Sequence, residues 1–211
     1  MTAHPSLKLS YFDVTARAEP IRLALTIGGI PFEDHCVARS DWPDLKKSMP
    51  FKQMPVLTVN GTTQVAQSNG LLRYAGTLAG LYPAADPLKA ALVDQIVFHI
   101  EDMYNLDYAT ISEKNEERKK AARKVIAEER FPAMLASLDA VIAKHSGGMW
   151  CVGDSMTVAD VNVYTFVSDL KSGFWRYISS TLANPLPNIM RVVDAVGAHP
   201  RVIGWQAARR K

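Results

Sequence analysis

LKLSYFDVTARAEPIRLALTIGGIPFEDHCV, residues 7–37, carries three hydrophobic patterns in succession. Residues 7–11, LKLSY, alternate apolar and polar positions with the two-residue period of a half-buried strand. Glu19-Pro20 then supplies an acid for the positive end of a helix dipole and a proline where a missing N–H is harmless. Ile21, Ala24, Leu25 and Gly28 follow at helical spacing, and Gly28-Gly29 provides a stop. Residues 32–37 read as a second strand. Strand, helix and strand within about 30 residues predict a βαβ unit, a parallel pair joined by a right-handed crossover.

Downstream, a short helix is expected over 41–48 and strands over 56–59 and 62–66, separated by Asn60-Gly61, a strong hairpin signal. Ser68 opens a helical segment to about residue 78, which completes βαβ followed by ββα, the thioredoxin-like order. Pro83 and Asp86-Pro87 mark a linker, and from there strand signals give way to helical stretches over 88–111, 116–144, 158–171 and 187–198. The predicted fold is an α/β thioredoxin-like domain over 1–82, a linker over 83–89 and an all-α domain over 90–211.

At 211 residues, with 48% hydrophobic and 21% charged, the chain has ordinary globular composition. Cys36 and Cys151 form no C-x-x-C pair, so neither a disulfide framework nor a cysteine-rich metal site is expected, and a reducing, cytoplasmic setting fits. No long uninterrupted apolar run occurs, and the first eleven residues lack a leader pattern, so neither membrane spanning nor secretion is expected. The net charge of +3 is slight, and the basic run 118–124 lies between acids, the pattern of a solvated helix face. Nucleic-acid binding is therefore not expected. Arg209, Arg210 and Lys211 read as a loose basic tail that could touch an anionic surface.

Tyr11 ends the first strand beside the first helix, where a thioredoxin-like half commonly places a reactive group. A phenol of pKa about 10 stays protonated at neutral pH and can donate a hydrogen bond to a thiolate, whereas a free thiol near pKa 8.5 is mostly un-ionised. One hydrogen bond to a charged acceptor, roughly 1.5 to 3 kcal/mol, matches a ten- to hundredfold increase in thiol acidity. The plainer use of Tyr11 is to close the strand end. Met54-Pro55 precedes the third strand, where a cis peptide would expose backbone N–H and C=O groups to an extended ligand. Gln67-Ser68 combines an amide, a hydroxyl and a helix N-terminus, a set suited to a carboxylate or to a simple cap.

The order Tyr11-Phe12, Ala18-Glu19-Pro20-Ile21-Arg22, Asp41-Trp42-Pro43, Gln53-Met54-Pro55-Val56-Leu57, Gln67-Ser68 and Leu72-Arg73-Tyr74 resembles the glutathione transferase superfamily, and within it the sigma class, from about Leu7 to the last residue. The resemblance implies that Tyr11 activates glutathione with support from Arg17. It also implies that Trp42 and Lys46 hold the glycyl end, that Gln53, Met54 and Pro55 grip the cysteinyl backbone, and that Gln67 and Ser68 hold the γ-glutamyl group. Asp102 of the partner subunit would reach the γ-glutamyl amine, which makes the expected enzyme a homodimer, with Phe51 as a candidate dimer-locking aromatic. Some members bind a metal through a further carboxylate on the same helix, but Phe98 stands at that position, so no metal is expected and glutathione is the only co-substrate. Phe12, Tyr104, Tyr108 and Phe166 are expected to line a pocket for small hydrophobic electrophiles between the two halves. Thr157-Val158-Ala159-Asp160 matches a capping box with Met156 and Val161 as a hydrophobic staple, a folding element.

Redox branches use a cysteine at the first helix, and neither cysteine lies there. Serine-type branches leave Ser10 and Thr15 as alternatives to Tyr11. The expected reaction is attack of a glutathione thiolate on an electrophile. A glutathione-dependent isomerase of the prostaglandin D synthase kind and a non-catalytic structural or binding member of the fold are the rivals.

Overall fold

A computed structural model describes residues 4–209; Arg210 and Lys211 of the basic tail lie outside the described residues. The chain divides into two compact units, one running to Ala84 and resuming at Pro200, the other Ala85–His199.

The first unit is built on a four-stranded sheet of order β2-β1-β3-β4, with β1 (Leu7–Tyr11), β2 (Glu33–Cys36), β3 (Val56–Val59) and β4 (Thr63–Ala66). β1 and β2 are parallel, as the βαβ pattern predicts, β3 and β4 are antiparallel, as Asn60-Gly61 predicts, and β1 and β3 are also antiparallel. Leu9 and Leu57, at 0% exposure, form the inner sheet face against α1 (Glu19–Gly28) and α3 (Ser68–Ala79), whose Ile21, Leu25, Leu71 and Leu72 are likewise buried. Each such side chain contributes about 1.5 to 3 kcal/mol of burial. α1 and α3 touch backbone to backbone at Gly28, where an added Cβ would lie 2.4 Å from Ala79 Cβ. The expected helix over 41–48 is a short α2 (Trp42–Leu45) continued by a 3₁₀ turn, Lys46–Ser48.

α9 (Pro200–Arg209) also belongs to the first unit, although the sequence reading placed these residues in the all-helical domain. It packs along α1 and grips both of that helix's ends. Arg201 Nη1 donates to the carbonyls of Thr26 and Ile27 at 3.2 and 2.8 Å, adding a side-chain donor at the α1 C-terminus beside Gly29, whose φ of 69° is the left-handed cap. Trp205 Nε1 donates to Glu19 in the first turn of α1 at 2.8 Å. Arg209 is therefore the last described residue of a docked helix, and the loose-tail expectation fails for it.

The second unit holds α4 (Pro87–Ile111), α5 (Glu116–Val125), α6 (Phe131–His145), α7 (Val158–Lys171) and α8 (Pro187–Gly197). Asp86 caps α4 by accepting from the Lys89 N–H at 3.0 Å, so Asp86-Pro87 starts the helix and the linker is shorter than 83–89. The helical stretch expected over 116–144 runs continuously from Glu116 to His145, with a π turn at Ile126–Arg130 between α5 and α6. Pro132 is the cause: it has no N–H for the regular ladder, and the chain shifts its bonding ahead of it. α7 is buried along nearly its whole length and begins with the expected capping box. The Asp160 carboxylate accepts from Thr157 N–H at 2.7 Å and Thr157 Oγ1 at 2.9 Å, and its second oxygen accepts from Cys151 N–H at 2.6 Å. A buried pair, Arg123 with Asp107 at 2.7 Å, ties α5 to α4, and Arg123 Nε also donates to Thr110 Oγ1 at 2.8 Å. No helix of the described residues is long and apolar enough to cross a membrane.

Candidate functional site

Strand register assembles the first set of candidate residues. β1 pairs antiparallel with β3, with Ser10 opposite Val56, and β3 with β4, with Val56 opposite Ala66. Both ladders end there, and the next residues of the three segments are Tyr11, Pro55 and Gln67. Three residues remote in sequence thus lie at the same end of the sheet, with Ser68 opening α3 immediately beyond.

Tyr11 is 6% exposed, its carbonyl accepts from Val37 N–H at 2.7 Å, and the Arg22 guanidinium carbon lies 5.9 Å from its ring centroid. Phe12 stands between Tyr11 and Trp42, with ring centroids 5.9 and 5.8 Å away, and Arg39 lies over its ring at 5.1 Å. Phe12 therefore links the end of β1 to α2, and Lys46 is exposed in the turn continuing α2. Met54-Pro55 is cis, with Gln53 exposed before it. Gln67 has φ 75° and ψ 106°, a region that costs a side-chain-bearing residue about 1 to 3 kcal/mol, and such strain concentrates at ligand clamps. It turns the chain sharply into α3, whose N-terminal N–H groups and dipole suit an anion.

Arg17 is half-buried in the 3₁₀ turn Ala16–Ala18, where Ala16 has φ 42°. Ser10 alternates away from Tyr11 and places its hydroxyl 3.1 Å from His35 Nδ1, so it is used within the sheet. Thr15 is exposed in the turn.

Arg22, in the Ala18–Arg22 segment that carries part of the family resemblance, has a structural role of its own. It is fully buried on α1. Its Nη1 donates to Val14 O at 2.7 Å and Glu19 at 3.2 Å, Nη2 to Phe12 O at 3.2 Å and Nε to Asp34 at 2.9 Å. A charged residue between Ile21 and Leu23 in an otherwise apolar helix segment was the available signal.

Neither cysteine is an activated thiol. Partial burial, then the Asp34 and Asp13 carboxylates, push the Cys36 thiol up against the opposing pull of Arg22 and Arg209. Burial and Asp160 push Cys151 well above the ordinary thiol range.

Among the candidates in the second unit, Asp102 is exposed on α4 and Tyr108 half-buried. Phe166 and Tyr104 depart from the expected pocket lining. Phe166 is 0% exposed, within 5.4 Å of Tyr104, 5.9 Å of Phe131 and 5.0 Å of Trp175 between ring centroids. Tyr104 is 4% exposed and donates its hydroxyl to Asp169 at 2.9 Å. Both pack the helical core, because an aromatic stripe at helical spacing buries area most effectively against other rings. Among the described residues, no group of three or more His, Cys, Asp or Glu side chains is arranged to hold a metal ion.

Residues 7–77 match the family model "Glutathione S-transferase, N-terminal domain", and residues 101–209 match "Glutathione S-transferase, C-terminal domain". The chain is 33% identical to hematopoietic prostaglandin D synthase of Gallus gallus over 98% of each chain, and 34% identical to a glutathione S-transferase of Anopheles gambiae over 97% of each. The structure of prostaglandin synthase D of Nilaparvata lugens superposes with a TM-score of 0.87 at 26% identity, covering 97% of this chain and 98% of that one. With both of its domain models matched in order and relatives above 30% identity along nearly the whole length, this chain belongs to the glutathione S-transferase family.

Proposed function

We propose that this glutathione transferase ionises glutathione through a hydrogen bond from the Tyr11 hydroxyl and presents the thiolate to hydrophobic electrophiles. The observation carrying this reading is that strand register brings Tyr11, Pro55 and Gln67 to the same end of the sheet. Glutathione would lie across that end of the sheet. The Met54 backbone would pair with the cysteinyl residue as an added strand, with Gln53 beside it. Gln67, Ser68 and the α3 N-terminus would hold the γ-glutamyl carboxylate, and Trp42 and Lys46 the glycyl end. Arg17 would add positive potential near the sulfur. Thiolate stabilisation and proximity would supply most of the rate. Exposed Asp102 and Phe51, the latter 62% exposed, are available for the roles proposed for them in a homodimer. Phe12, beside Tyr11, is the residue of the first unit proposed to line the electrophile.

The test is the pH dependence of thiolate absorbance for bound glutathione, wild type beside Tyr11→Phe, with turnover of a chloronitrobenzene substrate in parallel. The expected wild-type thiol is about ten- to a hundredfold more acidic than free glutathione, and Tyr11→Phe removes most of that gain. A lowered pKa that survives the substitution moves the role to Arg17 or Thr15, and failure to bind glutathione favours a non-catalytic role. A second reading, glutathione-dependent isomerisation, is favoured by the relatives named prostaglandin D synthase. Isomerisation of a prostaglandin endoperoxide much faster than conjugation would select it.

A further inference from the structure

We infer that Arg209 is a positioning residue for the end of β1, acting through Asp13, Asp34 and the buried Arg22; this rests on the assignment of thiol activation to Tyr11. The turn that follows Tyr11 is held from within by Arg22, which bonds the carbonyls on either side of Asp13, those of Phe12 and Val14. The same guanidinium lies 5.9 Å from the Tyr11 ring centroid. Arg22 is itself oriented by Asp34 and Glu19, and each of these carboxylates is shared with α9. Arg209 Nη1 donates to the second Asp34 oxygen at 3.0 Å, and Trp205 Nε1 donates to the second Glu19 oxygen at 2.8 Å. Arg209 Nη2 reaches Asp13 directly at 2.7 Å. One planar guanidinium thus bridges the turn and β2, a geometry that a lysine cannot reproduce. Its place is fixed by Trp205, over whose ring it lies at 5.6 Å, and by Trp205 packing on Phe32 at 5.8 Å.

Two consequences follow for a thiolate at the end of β1. The first is geometric. The turn contains Ala16 at φ 42°, a conformation it holds only under constraint, and α9 supplies the outer half of that constraint. The second is electrostatic. Without Arg209, Asp13 loses a guanidinium at 2.7 Å, and Asp34 keeps Arg22 at 2.9 Å but loses Arg209 at 3.0 Å. Cys36, level with Tyr11 in the register, gives the sign of the charges: burial raises its thiol pKa most, Asp34 and Asp13 raise it further, and Arg22 and Arg209 pull it down. The groups facing Arg209 from the packed elements are Asp13, Asp34 and Trp205, with Cys36 beside the two carboxylates.

The test measures bound glutathione in wild type, Tyr11→Phe, Arg209→Met, Arg209→Lys and Arg201→Met, each checked for folding by circular dichroism and thermal unfolding. Arg201→Met is the control, because it loosens the same helix at the opposite end of α1, away from Tyr11. Arg209→Met is expected to make the bound thiol about threefold less acidic, and to lower kcat about three- to tenfold with a smaller change in the glutathione KM. Arg209→Lys should recover part of both effects, and Arg201→Met should leave the thiol pKa at the wild-type value. A thiol pKa unchanged in Arg209→Met, or shifted equally by Arg201→Met, overturns the inference. If Arg209→Met does not fold, Arg209→Lys decides: an unchanged thiol pKa overturns the inference and a raised one supports it. If wild type does not acidify glutathione, or Tyr11→Phe has no effect, the Tyr11 assignment fails first and the inference fails with it.

Discussion

Replacing Asp160 with alanine removes the acceptor for three bonds at the start of α7, those from Thr157 N–H, Thr157 Oγ1 and Cys151 N–H. Cys151 is 0% exposed and Thr157 3% exposed, so water has little access to the stranded donors. The Thr157 hydroxyl can rotate, but the two N–H groups cannot. Leaving each unsatisfied costs about 1 to 3 kcal/mol. Against this stands the release of a buried carboxylate, whose pKa is raised because burial outweighs its hydrogen bonds. The net expectation is a loss of about 3 kcal/mol, read as a lowered urea midpoint at unchanged m, or a fall in Tm of about 10 °C. Asp160→Asn keeps one oxygen and turns an NH₂ toward a donor on the other side, so it should lose about half as much. A loss below about 1 kcal/mol for Asp160→Ala would refute the reasoning, because it would mean that water or relaxation replaces the cap.

Gly28→Ala should destabilise by about 1 to 2 kcal/mol, since the clash with the Ala79 backbone exceeds the gain in helix propensity; equal or higher stability on equilibrium unfolding would refute the close contact. Burial holds the Asp107 pKa above the ordinary carboxylate range despite Arg123. Its contribution to stability is therefore complete below about pH 4 and lost as pH rises through the folded value, so Asp107→Asn should flatten that fall in a stability–pH profile. Asp13→Asn removes one of the carboxylates that raise the Cys36 thiol, so alkylation of this exposed cysteine near pH 8 should quicken about two- to threefold, while buried Cys151 stays unreactive; a slower rate would contradict the field described.

Features encoded over a few neighbouring residues were legible in the sequence. Strand alternation at Leu7–Tyr11, Pro20 in the first turn of α1, the Asn60-Gly61 hairpin and the Thr157–Asp160 box each act through bonds between near neighbours, and each appears where its pattern predicts. Tyr11, Pro55 and Gln67 could be selected by type and by family resemblance, but their meeting at one sheet end needs two strand registers, which the sheet decides. Pro132 was visible and its effect was not, because a helix can end, kink or take a π turn at a proline according to what packs around it. Tyr104 and Phe166 had the spacing of either a core or a pocket, and only burial separates the two.

The largest gap lies around Arg22. Its partners Glu19 and Asp34 are near in sequence, but Trp205 and Arg209, which complete the network, are 175 to 196 positions from the residues they bond. Local periodicity holds no information about such pairs. The sequence alone determined the order of strands and helices, the helix caps and the residue types able to stabilise a thiolate, because those depend on backbone geometry and side-chain chemistry within a turn or two. Tertiary structure alone decided that α9 returns to the first unit and closes a charge network over the turn after Tyr11, because contacts between distant segments form only where packing brings them together.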